Sequence, residues 1–167
     1  PLIGGELPAA TRLIRASSAA FFAEGDAERW LAGEGFDLAF IDASHRFADA
    51  LLDFMCLERF AHRGSIVLLH DTWPVHPRVA EPERTTTFYT GDVWKVVAAL
   101  TELRPDLDVH TVPCLPSGLT VVRGLDAGSR VLWDRFDECL ARFTPLDYAW
   151  LEARRDQVLA PHRGPID

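Results

Sequence analysis

Four residues of this sequence carry chemistry at a spacing that could bring them together: Asp42, His45, His70 and Asp71. The carboxylates of Asp42 and Asp71 are hard oxygen donors of the kind that divalent cations prefer. Histidine changes its charge near neutral pH, so His45 and His70 could accept a proton or ligate a metal. The alternative is structural, because an aspartate that precedes a helix also stabilises its N-terminus. Position alone leaves both readings of Asp42 open.

The elements around these residues read as a strand, a helix and a second strand. The apolar run 36–41 predicts a buried parallel strand, and the run 65–69 predicts another. Between them, apolar residues recur at helical spacing over 47–60, with Gly64 placed as a left-handed helix cap. A βαβ unit brings the carboxyl ends of both strands to one sheet edge, at a strand spacing of about 4.8 Å. Open α/β sheets bind their ligands at that edge.

The flanking segments extend this pattern. The predictions in chain order are a strand at 11–16, a helix capped by Ser17 or Ser18 and reaching Leu31, a loop over 72–90, a helix from Asp92 to about 105, strands at 107–112 and 119–122, and two helices at about 127–142 and 145–159. The connection between the last two strands is too short for a helical crossover, so we expect an antiparallel hairpin. The chain should therefore form an α/β sheet that is mostly parallel (1–125), with a helical extension packed on it (126–167).

Composition narrows the functional classes. A formal net charge of -8 argues against a nucleic-acid surface. No apolar run reaches transmembrane length and the first residues lack a signal-peptide pattern, so we expect a cytoplasmic protein without a membrane partner. Cys56, Cys114 and Cys139 are odd in number and widely spaced, which favours free thiols over a disulfide or zinc framework.

Five segments together resemble a known family: FDLAFIDASH, the helix after it, GSIVLLHD, GDVWK and PSGLTVV. They are similar to the class I S-adenosylmethionine-dependent methyltransferases, and most of all to the branch with metal-dependent sugar and macrolide O-methyltransferases and cephalosporin-hydroxylase-like proteins. The resemblance covers roughly residues 12–123, about two-thirds of the chain. It implies a Rossmann-like sheet in the strand order 3-2-1-4-5-7-6, with strand 7 antiparallel.

On that map the present strands would be 3, 4, 5, 6 and 7, with 12–15 as strand 3. The family's glycine-rich loop after strand 1 and the acidic residue ending strand 2 should lie before position 1. Gly4-Gly5 follows no strand and opens no helix, so it does not replace that loop. We therefore expect the C-terminal portion of a longer methyltransferase, or a degenerate one, with the N-terminal βα units missing.

The resemblance also implies site roles. Asp42 and Ala43 would face the cofactor S-adenosylmethionine, and so would Ser17, which a helix cap explains equally well. His45 would be the catalytic base, with Asp42 orienting the acceptor. Asp42, His70 and Asp71 would form a metal site, although a metal-free site is the alternative. The imidazole of His70 replaces one hard oxygen donor, which weakens a pure Mg site and leaves room for Mn.

The expected function is methyl transfer to an oxygen of a small molecule, of secondary-metabolite or sugar type. Residues near the long loop could shape the acceptor pocket: Trp73, His76, Tyr89, Trp94 and Lys95. Two alternatives stay open. One is a metal-dependent hydrolase or hydroxylase-like enzyme built on the same four residues. The other is a degenerate domain that binds a partner, and the aromatic-rich terminal helices would suit a homo-oligomer interface.

Overall fold

The computed structural model describes residues 11–31 and 33–162, so Gly4-Gly5 lies outside the described residues. The strands are β1 Phe36–Ile41, β2 Ala61–His70, β3 Asp108–Val112 and β4 Leu119–Arg123. The helices are α1 Ser18–Ala23, α2 Asp26–Leu31, α3 Phe47–Glu58, α4 Trp94–Leu103, α5 Val131–Asp134, α6 Phe136–Phe143, α7 Tyr148–Glu152 and α8 Arg155–Leu159. One 3-10 turn, Pro77–Val79, interrupts the long loop between β2 and α4.

The four strands form one sheet in the order β1-β2-β4-β3. This is the order 4-5-7-6 that the resemblance implies, and the predicted β3–β4 hairpin is confirmed. β1 and β2 pair in parallel, whereas β4 is antiparallel to both of its neighbours. Counted by ladders, the sheet is therefore mixed rather than mostly parallel.

The strand predicted at 11–16 is wrong, because these residues form no strand in the structure. A strand needs a hydrogen-bonded neighbour, and the outer edge of β1 pairs with no described strand. Within the residues that the structure describes, β1 is accordingly an edge strand rather than the buried strand expected. Its Leu38 and Phe40 are 59% and 55% exposed, and only Ile41 at its end is buried.

Helix α3 carries the crossover between β1 and β2. Its twelve residues contain no glycine or proline, and it buries an apolar stripe that includes Phe47, Leu51, Phe54 and Met55. Each such fully buried side chain contributes about 1.5–3 kcal/mol to folding. This stripe belongs to one hydrophobic core that also takes in α4, the sheet and the C-terminal helices.

The predicted helix ends were less accurate. The helix expected from Ser17 or Ser18 to Leu31 is two helices, separated at Gly25, whose φ of 80° lies outside the helical region. Gly64 caps no helix: β2 already begins at Ala61, and its register with β1 shifts between Phe36 and Leu38.

The two long C-terminal helices predicted over 127–142 and 145–159 are four short ones. The backbone leaves helical geometry at Arg135 and again at Arg154, and α7 begins only at Tyr148, where Asp147 accepts a hydrogen bond from the Trp150 backbone N–H. Apolar residues of these helices nevertheless enter the common core: Leu132, Cys139, Phe143, Leu151, Val158 and Leu159. Among the described residues, no helix combines the length and apolar character needed to cross a membrane.

Candidate functional site

The four chemically suggestive residues do meet at one sheet edge. β1 and β2 are in register with Ile41 opposite Leu69, so the residues that follow each strand end lie side by side. His70 Nδ1 lies 3.5 Å from Asp42 Oδ1 and 3.3 Å from Asp71 Oδ2. His45 reaches the same two carboxylates from the turn before α3. The βαβ prediction therefore placed all four residues correctly.

His45 is held through its Nδ1 atom. That nitrogen is hydrogen-bonded to the backbone carbonyl of Tyr89 at 3.2 Å and lies 3.1 Å from Asp71 Oδ2. The Tyr89 carbonyl can only accept, so in this hydrogen bond Nδ1 carries the proton and donates it. The other ring nitrogen, Nε2, then carries the lone pair and lies 3.4 Å from Asp42 Oδ1. In this tautomer, His45 can accept a proton at Nε2 or ligate a cation there.

The environment of the two aspartates differs. The Asp71 side chain is 6% exposed, whereas that of Asp42 is 40% exposed, so one carboxylate forms the floor of the site and the other its rim. The backbone at Asp71 has φ 60° and that at His45 has φ 59°. Residues other than glycine adopt this left-handed region seldom, and when they do they cluster at functional sites.

His70 is held from the far side by a residue that the sequence did not single out. Its Nε2 lies 3.4 Å from the hydroxyl of Ser117, which is 1% exposed, in the β3–β4 connection. The Ser117 carbonyl accepts a hydrogen bond from the Trp73 backbone N–H at 2.6 Å. Gly118 permits this approach, because a Cβ there would lie 2.2 Å from Trp73 Cβ. That glycine, in the segment PSG, was the available signal.

The donor set fits a divalent cation. Asp42, His45 and Asp71 each offer a ligand atom within 4.8 Å of the others. His70 Nδ1 is buried and has no hydrogen-bond partner among the described residues, because its approach to the two carboxylates lacks hydrogen-bond geometry. Two carboxylates with imidazole nitrogens suit Mn or another transition metal better than Mg, which prefers oxygen alone.

A cavity of about 360 Å³ opens beside this edge, between the N-terminal segment and the end of β1. Asp42 and Ala43 line it together with the rings of Phe21, Phe22 and Phe40. Ser17 is the N-cap of α1, accepting a hydrogen bond from the Ala20 backbone N–H, and the neighbouring Ser18 lines the cavity instead. The cavity thus combines aromatic walls with a carboxylate rim.

Asp53 of α3 also lines this cavity, although it is almost fully buried. Burial raises the pKa of its carboxyl above the usual value, and a hydrogen bond with Ser18 offsets part of that effect. Its carboxyl therefore adds an acceptor to the inner wall of the cavity.

The residues expected around an acceptor pocket separate into two groups. Tyr89 contacts the site directly: its ring stacks on the His45 ring at 5.5 Å with the planes 3° apart. Trp73 lies three residues after the end of β2 and is partly buried. Trp94 and Lys95, in contrast, are buried in α4. His76 accepts a hydrogen bond from the Arg78 backbone N–H and caps the 3-10 turn.

Comparison with known proteins bears on the same region. Residues 4–72 match a family model described as a methyltransferase domain. This match covers less than half of the chain and includes Asp42, His45, His70 and Asp71. No curated protein and no solved structure matches the chain. The match supports a methyltransferase domain, and the α/β architecture with its four-stranded mixed sheet is consistent with a Rossmann-like methyltransferase fold.

Proposed function

We propose that this protein transfers a methyl group from S-adenosylmethionine to an oxygen atom of a small molecule. The observation that carries the proposal is the orientation of His45. Its Nδ1–H donates to the Tyr89 carbonyl with the Asp71 carboxylate 3.1 Å away, and its Nε2 faces Asp42 Oδ1 at 3.4 Å, at the carboxyl ends of β1 and β2. The methyltransferase match over residues 4–72 supports methyl transfer as the reaction in which this base takes part.

Methyl transfer to a hydroxyl requires that its proton be removed. In the proposed reaction the acceptor oxygen forms a bond to the methyl carbon while the carbon–sulfur bond breaks. The bonding electrons return to sulfur, which leaves S-adenosylhomocysteine. Nε2 of His45 takes the hydroxyl proton, and the buried carboxylate of Asp71 stabilises the imidazolium that results. Such proton transfer typically contributes about 10²–10⁴ in rate.

The cofactor would bind at the cavity beside β1. The aromatic rings that line this cavity, those of Phe21, Phe22 and Phe40, offer flat apolar surfaces for the heteroaromatic base of the cofactor. Asp42 and Ala43 lie where this cavity meets the catalytic edge, so they would adjoin the reacting end of the cofactor. Ser17 would contribute only through the helix that it caps.

Asp42, His70 and Asp71 would hold a divalent cation, most suitably Mn. A cation at this point would supply positive charge to orient the acceptor oxygen and lower the cost of its negative charge. The buried and unpartnered Nδ1 of His70 supports this role. A histidine that binds a metal through one ring nitrogen usually has its other ring nitrogen held by a hydrogen bond, and here Nε2 of His70 lies beside the Ser117 hydroxyl.

The same donor set favours one alternative, a metal-dependent hydrolase, since two aspartates with two histidines also suit activation of water. Dependence of turnover on S-adenosylmethionine separates the two reactions. A cytoplasmic location and a homo-oligomer through α5–α8 remain proposals of the same kind. The burial of many apolar residues of these helices in the chain's own core leaves less of that surface for a partner.

The test is formation of S-adenosylhomocysteine from S-adenosylmethionine with a panel of hydroxylated sugars and phenols, with and without Mn. We expect His45→Gln to lower kcat by about 10²-fold or more. His62→Gln is the matched control, because His62 also pairs with an aspartate, Asp37 at 3.1 Å, but lies near the amino ends of β1 and β2, at the opposite end of the strands from His45. Product formation that does not need S-adenosylmethionine would contradict the proposal and favour the hydrolase.

A further inference from the structure

The segment 89–92 contacts His45 at several independent points; we call these four residues the His45 cradle. The Tyr89 ring stacks on the imidazole, and the Tyr89 carbonyl accepts from Nδ1 at 3.2 Å. The Asp92 backbone N–H donates to the His45 carbonyl at 3.2 Å. The cradle therefore fixes the side chain and the backbone of His45 at once.

Gly91 makes this close approach feasible. A Cβ at this position would lie 1.8 Å from the His45 carbonyl oxygen, and the glycine has φ 65°. No side chain fits between the two segments, so the cradle is built to touch the backbone of His45.

Asp92 makes hydrogen bonds to the backbone at both ends of the turn 45–47. Besides the N–H bond to the His45 carbonyl, its Oδ1 accepts the Phe47 backbone N–H at 2.7 Å. Phe47 is the first residue of α3, and the residue before it, Arg46, makes no side-chain cap. Asp92 thus caps α3 from a distant part of the chain, whereas the sequence predicted that it would begin its own helix, α4. His45, whose backbone is left-handed, is the first of the two residues that these hydrogen bonds hold.

Lys95 connects Asp92 to the C-terminal helices. Its ammonium donates to Asp92 Oδ2 at 3.0 Å and to the carbonyl of Thr144, the residue after α6, at 2.8 Å. Both Asp92 and Lys95 are 4% exposed, so this is a buried ion pair with a backbone acceptor on its far side. A continuous path of hydrogen bonds then runs from Thr144 through Lys95 and Asp92 to His45.

We infer that Asp92 is a positioning residue for His45 and that Lys95 couples it to the C-terminal helices. This inference rests on the proposed function for its importance to a reaction. Asp92 touches neither acceptor nor cofactor in it. Its role is to hold the His45 turn so that Nδ1 meets the Tyr89 carbonyl and Asp71, which leaves Nε2 as the basic nitrogen.

The test uses the ring ¹⁵N chemical shifts of His45, which report its tautomer and need no turnover. The signals are assigned by their loss in His45→Gln. The main variant combines Asp92→Ala with Lys95→Met, so that no lone ammonium stays buried. We expect the His45 signals to change from a single tautomer to a mixture. We also expect the Phe47 amide to exchange with solvent about tenfold faster or more, since its acceptor is lost.

Two further variants separate positioning from general loosening. Asp92→Asn with Lys95→Met returns an acceptor for the Phe47 N–H and should restore most of the single-tautomer signal. Glu58→Gln weakens a different buried ion pair, with Arg104 at 2.8 Å, and should leave His45 unchanged. Wild-type ring signals in the folded Ala–Met variant would overturn the inference, and so would the same change in Glu58→Gln.

A measurement on the unaltered chain decides the matter if the Ala–Met variant does not fold. The amides of Phe47 and Asp92 must then be strongly protected from exchange with solvent. Rapid exchange of either would refute the claim that Asp92 holds the His45 turn. If methyl transfer fails with every acceptor while these signals behave as expected, the proposed function falls and the positioning of His45 stands.

Discussion

Replacing Asp71 by asparagine isolates the charge that supports His45. Asparagine has the same shape as aspartate and also tolerates the left-handed backbone that Asp71 adopts at φ 60°, so the turn should survive. What disappears is the negative charge 3.1 Å from His45 Nδ1, in a side chain that is only 6% exposed. The carbonyl of Tyr89 remains as an acceptor for the same N–H.

The size of the effect follows from that distance. At 3.1 Å and an effective dielectric constant of about 20, a carboxylate and an imidazolium attract each other by about 5 kcal/mol. His45 is 27% exposed, so solvent screens part of this attraction. A remaining loss of about 2 kcal/mol in the transition state corresponds to a decrease of about 30-fold in kcat.

The assay is S-adenosylhomocysteine formation at saturating acceptor, measured over a range of Mn concentrations. We expect the Asp71→Asn defect to persist at saturating Mn, because it arises at His45. Complete recovery at high Mn would show that Asp71 acts only as a metal ligand. An unchanged kcat at every Mn concentration would refute the role assigned to this carboxylate.

Three further predictions concern stability and accessibility. Burial raises the pKa of Asp53, so above the unfolded pKa of about 3.8 the charged carboxylate lowers the stability of the fold. Asp53→Asn should therefore raise Tm at pH 7, and thermal melts at pH 3 should show no increase in Tm. Gly118→Ala should lower Tm and broaden the Trp73 fluorescence, because the new Cβ would lie 2.2 Å from Trp73 Cβ at φ 75°; an unchanged melt would contradict this packing. A thiol reagent should label Cys114 rapidly in the native protein and the two buried thiols only after unfolding, as mass spectrometry of tryptic peptides can verify.

The part of the fold that sequence predicted well is the part with the simplest periodicity. Two apolar runs around an amphipathic helix indicated β1, α3 and β2, and polar residues at the strand ends indicated the site. The short connection after Val112 likewise permitted only a hairpin. These features depend on local pattern and chain geometry, which a single sequence contains.

The errors lie where structure depends on distant partners. The run 11–16 has strand-forming residues but no neighbouring strand within the described part of the chain. The C-terminal segment follows helical spacing yet bends to pack on α4. Asp92 looked like the cap of its own helix because the N–H that it accepts, that of Phe47, lies 45 positions away in the sequence. Ser117 gave no signal of its own, since its meaning comes from the position of His70.

The most direct test of the central claim is calorimetric titration of S-adenosylhomocysteine into this chain, with and without Mn. We expect saturable binding in the micromolar range, about -8 kcal/mol, that is weakened by Asp42→Asn. Asp37→Asn is the control, because Asp37 lies near the start of β1, the strand that Asp42 follows, and its side chain is 99% exposed and does not line the cavity. Absence of binding, or equal binding by both variants, would contradict a cofactor site beside β1 and the methyltransferase function built on it.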